Sequence, residues 1–276
     1  MRRLLYLGLP MLPLFASGAD LVHYYDFEEN SNDRVGSSNG TDGAEVTTSA
    51  GFDGNTAATF PSGLASGNPF DDTGYIDLDP AIADVSGEFS FFSRVKLEVD
   101  ETTNPHGIFD FSGDGRDGPQ SLFIQSGGNE NRMAFRVDGE GSSNVVAFIE
   151  VPENDTWFFI TATFVPGGDL KIYLNGEIKE TLPAGLVLDV SWDSQPYLGA
   201  FNVNSNTNRG LARSLDDFAI YSGVPTDFEA SSLFDGTLFP TGHQGNSRSN
   251  RHRSKKSDHF QQFHLFSRNI LKSIAT

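Results

Sequence analysis

Residues Trp157 to Leu182, WFFITATFVPGGDLKIYLNGEIKETL, decide the fold class of this chain. Phe158, Ile160, Ala162 and Phe164 alternate with Trp157, Phe159, Thr161 and Thr163, which is the two-residue period of a strand rather than the 3.6 of a helix. Pro166, Gly167 and Gly168 stop that strand, because proline cannot donate to a ladder and glycine accepts the positive φ of a tight turn. A second strand follows with Leu170, Ile172 and Leu174 on one face, and Asn175-Gly176 then signals a hairpin. A strict two-residue turn would set Leu174 opposite Glu177. A one-residue bulge beside Gly176 is therefore expected, placing Leu174 opposite Ile178.

At 276 residues the chain can bury the core of one large all-β domain without disulfides. It has no cysteine, which excludes a disulfide framework, a thiol nucleophile and a Cys-ligated zinc or iron-sulfur centre. The net charge of -18 conceals an asymmetry: residues 20 to 239 hold 36 Asp and Glu against 10 Lys and Arg, whereas residues 240 to 276 hold 7 Lys and Arg against Asp258 alone. So acidic a body repels phosphate backbones and disfavours nucleic-acid partners.

The first 19 residues combine Arg2 and Arg3, an apolar run from Leu4 to Phe15 and the small residues Ala16 to Ala19. That is the order of a secretory signal peptide, too short and too interrupted by Pro10 and Pro13 for a membrane span. Residues 20 to 239 then form the expected folded body. Strands are expected at Leu21 to Phe27, Ala57 to Phe60, Tyr75 to Leu78, Glu88 to Glu98, Gly107 to Phe111, Ser121 to Gln125, Arg132 to Val137 and Val145 to Val151. Gly, Asn and Asp turns separate them, with a long loop from Glu29 to Gly43. Only Asp227 to Phe234 reads as a helix, capped by Thr226. Residues 240 to 276 are rich in Ser, Asn, Arg, Lys and His and read as a disordered basic tail, with a short basic amphipathic segment at Phe263 to Ile274.

Four stretches together resemble the LamG-like jelly-roll domains of the concanavalin A-like lectin and glucanase superfamily, of bacterial secreted type. They are HYYDFEENSNDRVGSSNGT, EFSFFSRVKLE, WFFITATF with DLKIYLNGE, and YLGA with GLARSLDDFAIYSG. The resemblance covers about residues 21 to 236 and implies two curved antiparallel sheets with adjacent first and last strands. In similar jelly rolls an Asp at the Asp216 position holds a structural calcium with oxygens near the first strand. Asp216, Asp217 and Asp26 are accordingly the candidate metal ligands, with Glu28 close by in sequence. Calcium takes six to eight hard oxygens; the alternative is that Asp216 is a solvated edge carboxylate.

Other constellations are weaker. The loop FSGDGRDG at Phe111 to Gly118 lacks the Asp/Asn alternation and terminal Glu of an EF-hand and reads as a turn. The Glu-x-Asp-x-x-Glu strand of the glucanase relatives is absent, as are GxSxG, HExxH and GxxxxGK motifs. Loops carry the candidate ligand-binding groups: Trp192, Asn202, Asn204, Asn206 and Arg209, with a further loop at Gly127 to Arg132. Flat aromatics stack on sugar C–H surfaces, and amides and guanidinium groups read hydroxyls; the alternative is that Trp192 fills the core and the asparagines only make turns. The expected protein is an all-β jelly-roll sandwich with one short helix, secreted or at the cell surface. It is expected to bind carbohydrate or a glycosylated partner without catalysis. Two readings stay open beside it: a polysaccharide-cleaving enzyme with unrecognised acids, and a structural surface protein.

Overall fold

The computed structural model describes residues 19–61, 74–83, 87–97, 106–111, 120–125, 132–139, 143–185, 196–201, 209–210 and 213–234. The expected signal peptide up to residue 18, the tail from 240 and the loop at 112–118 lie outside the described residues. In chain order the strands are β1 (Ala19–Tyr25), β2 (Gly40–Asp42), β3 (Thr47–Ala50), β4 (Thr56–Phe60), β5 (Ile76–Leu78) and β6 (Phe89–Leu97). They continue with β7 (His106–Asp110), β8 (Gln120–Gln125), β9 (Arg132–Gly139), β10 (Ser143–Glu150), β11 (Trp157–Phe164) and β12 (Asp169–Leu174). The last are β13 (Glu177–Pro183), β14 (Tyr197–Leu198), β15 (Ala200–Phe201), β16 (Arg209–Gly210) and β17 (Arg213–Gly223), followed by helix α1 (Asp227–Phe234). Among the described residues no helix is long and apolar enough to cross a membrane.

Two antiparallel sheets result. The larger runs β13-β12-β11-β6-β17-β4-β3, with β1 also paired to β17; the smaller runs β10-β9-β8-β7-β14-β5-β2. The first and last strands are adjacent as expected, with Leu21 opposite Tyr221 and Tyr25 opposite Phe218. Alternation explains the core between the sheets. Phe158, Ile160, Ala162 and Phe164 of β11 enter it together with Phe89, Phe91, Val95 and Leu97 of β6. Phe91 is its hub, with ring centroids 4.4 Å from Phe109, 5.2 Å from Phe111 and 6.2 Å from Phe218, so that it touches rings from both sheets.

The β12–β13 hairpin departs from expectation. Leu174 does lie opposite Glu177, and the extra residue falls one step further in, where Tyr173 faces Ile178 and Ile172 faces Glu180. Asn175 and Gly176 adopt φ of 53° and 78°, which closes a two-residue turn with the right twist and leaves the bulge to be absorbed at Lys179. The short strands β2 and β3 were not expected, since β3 (TTSA) is exposed throughout and carries no apolar alternation. The helix matches its sequence signal: Glu229 N–H donates to Thr226 Oγ1 at 3.2 Å, and Thr226 N–H donates to Glu229 Oε2 at 2.8 Å. These reciprocal bonds form a capping box. Tyr173 OH donates to Asp227 Oδ1 at 2.7 Å and ties the helix start to β12.

The long loop after β1 is pinned by one carboxylate. Asp33 accepts backbone N–H groups from Tyr24, Val35, Gly36 and Ser38, and it sits 2.6 Å from His23 Nδ1. Burial pushes the Asp33 pKa up, but the His23 bond and the backbone donors outweigh it and bring it from the ordinary 3.8 to about 2. A depressed folded-state pKa gives stability that is present above about pH 4 and is lost as pH falls toward about 2. Thermal midpoints measured between pH 5 and pH 2 should show that loss, about 2 kcal/mol from this group. The Asp33→Asn variant should start lower and respond less across the same window.

Candidate functional site

Strand β17 must pair with β6 along its whole length while its other edge changes partner. Residues Arg213 to Leu215 pair with β4, and Phe218 to Gly223 pair with β1. At the change the register slips: Asp216 lies opposite Arg94 but Ala219 opposite Phe92, so β17 carries one extra residue there. Asp217 takes φ of 55° to absorb it, a conformation that Asp tolerates better than most residues. Asp216 and Asp217 both contact groups on the outer side of the sheet.

Asp216 is fully buried, so the alternative of a solvated edge carboxylate fails. Phe52 N–H donates to its Oδ2 at 2.9 Å and the Asn55 amide to its Oδ1 at 3.4 Å. Burial, and next the charge of Asp217, push its pKa up to about 7. Asp217 is held by the Arg94 guanidinium and by Tyr24 OH, which donates to Oδ1 at 2.5 Å. Burial still raises its pKa, against the pull of Arg94. Asp26 is tied to Arg34 Nε at 2.9 and 3.0 Å.

Of the three expected metal carboxylates, Asp26 and Asp217 are paired with Arg34 and Arg94, and among the described residues no three His, Cys, Asp or Glu side chains gather as metal ligands. Asp216 has a different companion. Asn55 Oδ1 is buried with no hydrogen-bond partner. A Cβ built on Gly51 would sit 2.2 Å from that oxygen and 2.7 Å from Asp216 Oδ2, so both oxygens face a cradle that only glycine leaves open. An orphaned amide oxygen beside a buried carboxylate suits a hard cation. Nothing in the sequence pattern around Asn55 pointed to it.

A second surface lies on the outer face of the smaller sheet. Ile76, Leu78, Leu198, Phe109, Phe135, Val137, Ala147 and Ile149 face the core, so the alternate residues face outward. In register across the strands these include Asp77, Tyr197, Asp110, Arg136 and Val146. Tyr75 and Tyr197 meet edge to face at 5.0 Å and pack with Ala200. Arg132 holds its guanidinium 4.5 Å over the Phe148 ring. The hairpin of β15 and β16 packs against β7 and begins at Ala200. It carries the expected Asn202, Asn204 and Asn206, which lie with Trp192 outside the described residues, while Arg209 is paired with Phe201 in its backbone ladder.

The comparisons with known proteins agree on the fold. A profile of the laminin G 3 family, described as the concanavalin A-like lectin/glucanases superfamily, matches residues 70–231. No curated protein matches the sequence. Among solved structures the chain resembles botulinum neurotoxin type C, whose cell entry depends on interaction with two ganglioside molecules. That match has TM-score 0.57 and 15% identity over 80% of this chain and 52% of the other. It also resembles the binding domain of botulinum neurotoxin DC in complex with SialylT (TM-score 0.60, 16% identity, 80% and 52% covered). The same domain in complex with rat synaptotagmin II gives TM-score 0.59 and 15% identity, again over 80% and 52%. The chain spans about half the length of these structures, and at such identity the likeness is one of fold.

The Asp217 pair generates a stability prediction. Arg94 has a side chain only 9% exposed, and removing one partner of a buried pair strands the other charge. Asp217→Ala should cost about 3–5 kcal/mol in urea denaturation. Adding Arg94→Met to that variant should restore part of the loss.

Proposed function

The chain belongs to the laminin G 3 family of concanavalin A-like domains, and from that premise we propose that it is a non-catalytic recognition module, secreted or at the cell surface, that binds carbohydrate or a glycosylated partner. The observation that supports this reading most is on the outer face of the smaller sheet, where the exposed Arg132 stacks on the half-buried Phe148 ring; the Tyr75–Tyr197 pair on the same face is buried and lends no contact area. Aromatic rings offer flat apolar area with few rotamers to freeze. A guanidinium stacked on a ring is already oriented, so its fork of donors meets hydroxyl or carboxylate groups at low entropic cost. The solved neighbours engage glycans and a protein, which is the range a recognition face of this kind would serve.

One observation favours the enzymatic alternative. Asp77 and Asp110 flank Tyr197 on adjacent strands of the same face, roughly 9 to 10 Å apart at the backbone by strand spacing. That is near the separation inverting glycosidases use. Against it, Asp110 is fully buried and offers no surface to a substrate. A glycan array on the secreted chain should give hits whose affinity falls at least tenfold in Arg132→Ala and Phe148→Ala, with no reducing ends released on incubation. Released reducing ends that disappear in Asp77→Asn would establish the enzyme instead.

Calcium is part of the same proposal. Asp216 and Asn55 would hold it, and the ion would add positive charge beside Asp216, which the Arg94 guanidinium paired with Asp217 offsets only in part. Its position at the hand-over from β4 to β1 makes stability depend on free calcium by mass action, about 2.7 kcal/mol at 100 times the dissociation constant. EDTA should lower the melting temperature of the wild type. Asp216→Ala should abolish that response, and Gly51→Ala, which fills the cradle, should blunt it.

A further inference from the structure

The outer face of the larger sheet is divided between two environments. One part is closed by α1, where Leu233 joins Tyr24, Phe92, Phe159 and Tyr221. The other carries a straight cross-strand row. Thr47 of β3 lies opposite Thr59 of β4, Thr59 opposite Ser214 of β17, Ser214 opposite Lys96 of β6, and Lys96 opposite Trp157 of β11. These side chains point outward because their strand neighbours Ala58, Leu215, Val95 and Phe158 fill the core.

Hydroxyls make up the row from β3 to β17, with Ser214 buried at its centre, and an amine and an indole follow on β6 and β11. Thr59 Oγ1 donates to Ser49 Oγ at 2.7 Å and lies 3.0 Å from Ser214 Oγ, so the hydroxyls are fixed by one another. Each hydroxyl retains acceptor capacity, since it has one donor and two lone pairs. Lys96 keeps 30% side-chain exposure, with its Nζ 3.9 Å from Asp155 Oδ1. Trp157 is half-buried at the end of the row, and Phe52, 40% exposed, lies 4.6 Å from the Arg94 guanidinium beside it.

A protein partner would call for a desolvated apolar centre, and this row has hydroxyls there instead. Nucleic acid is disfavoured by the charge of the body. A sugar chain fits: hydroxyls and an amine face hydroxyls, and an indole face meets a C–H surface. Four gaps between five strands span roughly 19 Å at about 4.8 Å each, long enough for several sugar units in line. We infer that this row is a second carbohydrate-binding surface, which takes an extended polysaccharide chain lying across the strands. Trp157 stacks on one sugar, while Lys96, Thr59 and Ser49 read hydroxyls along it; Ser214, buried between them, fixes the Thr59 hydroxyl. The inference rests on the proposed glycan recognition but uses the opposite side of the sandwich.

Affinity electrophoresis of the chain tests it, in gels containing a soluble neutral β-glucan, xylan, galactan or mannan. At least one polysaccharide should retard the wild type. Its apparent affinity should fall at least tenfold in Trp157→Ala and severalfold in Thr59→Val, which keeps the side-chain shape, while Lys179→Gln, an exposed change on β13 outside both surfaces, stays within twofold. If Trp157→Ala does not fold, Thr59→Val and Lys96→Gln carry the comparison. Retardation that survives these changes but is lost in Phe148→Ala would overturn the second surface and leave the proposed function standing. No retardation in any gel, together with an empty glycan array, would overturn both.

Discussion

Strand β17 has to satisfy three neighbours with two edges. One edge is committed to β6 throughout, so the exchange of β4 for β1 on the other edge must happen within the strand. A single inserted residue solves the geometry, and it does so at a chemical cost: Asp216 and Asp217 come to lie together in a buried setting where carboxylates repel one another and are poorly solvated. Arg94, Tyr24, the Phe52 amide and Asn55 are all positioned to relieve that cost. The junction also joins the two ends of the domain, because β1 and β17 are its first and last strands.

From this junction the two faces of the sandwich acquire different characters. The larger sheet is partly covered by α1, whose capping box and Tyr173–Asp227 bond fix where the cover ends. What remains is the row of hydroxyls, amine and indole, exposed on either side of the buried Ser214. The smaller sheet instead presents the Arg132–Phe148 stack on β9 and β10. Rigid strands rather than long loops hold both sets, so neither surface needs much ordering when it meets a ligand. The acidity of the body disfavours polyanionic partners.

The sequence made some of this legible and hid the rest for physical reasons. Strands such as β6 and β11 were readable because one face is packed against the other sheet and only apolar residues suit it. The helix was readable from Thr226 and Glu229, whose bonds are local. Strand β3 was not, since both its faces are solvated and its pairing is decided by the register of β4. The bulge at Asp217 was invisible for the same reason: it depends on which strands meet β17, which no local pattern records. Asp216 was singled out through the family likeness, but the companionship of Asn55 and Gly51 arises only when the β3–β4 turn folds onto it. Trp157 marked the start of a strand in the sequence; its place at the end of an outward row emerged only from cross-strand register.

The central claim is that sheet faces, more than loops, carry recognition. Amide chemical-shift mapping by NMR, on the isotope-labelled chain titrated with an oligosaccharide fragment of a bound glycan, tests it most directly. The account predicts that shifts cluster at Arg132 to Arg136 and Asn144 to Phe148, and for an extended chain also at Thr59, Lys96, Trp157 and Ser214. Shifts that avoid both sheet faces while the glycan is demonstrably bound would contradict it.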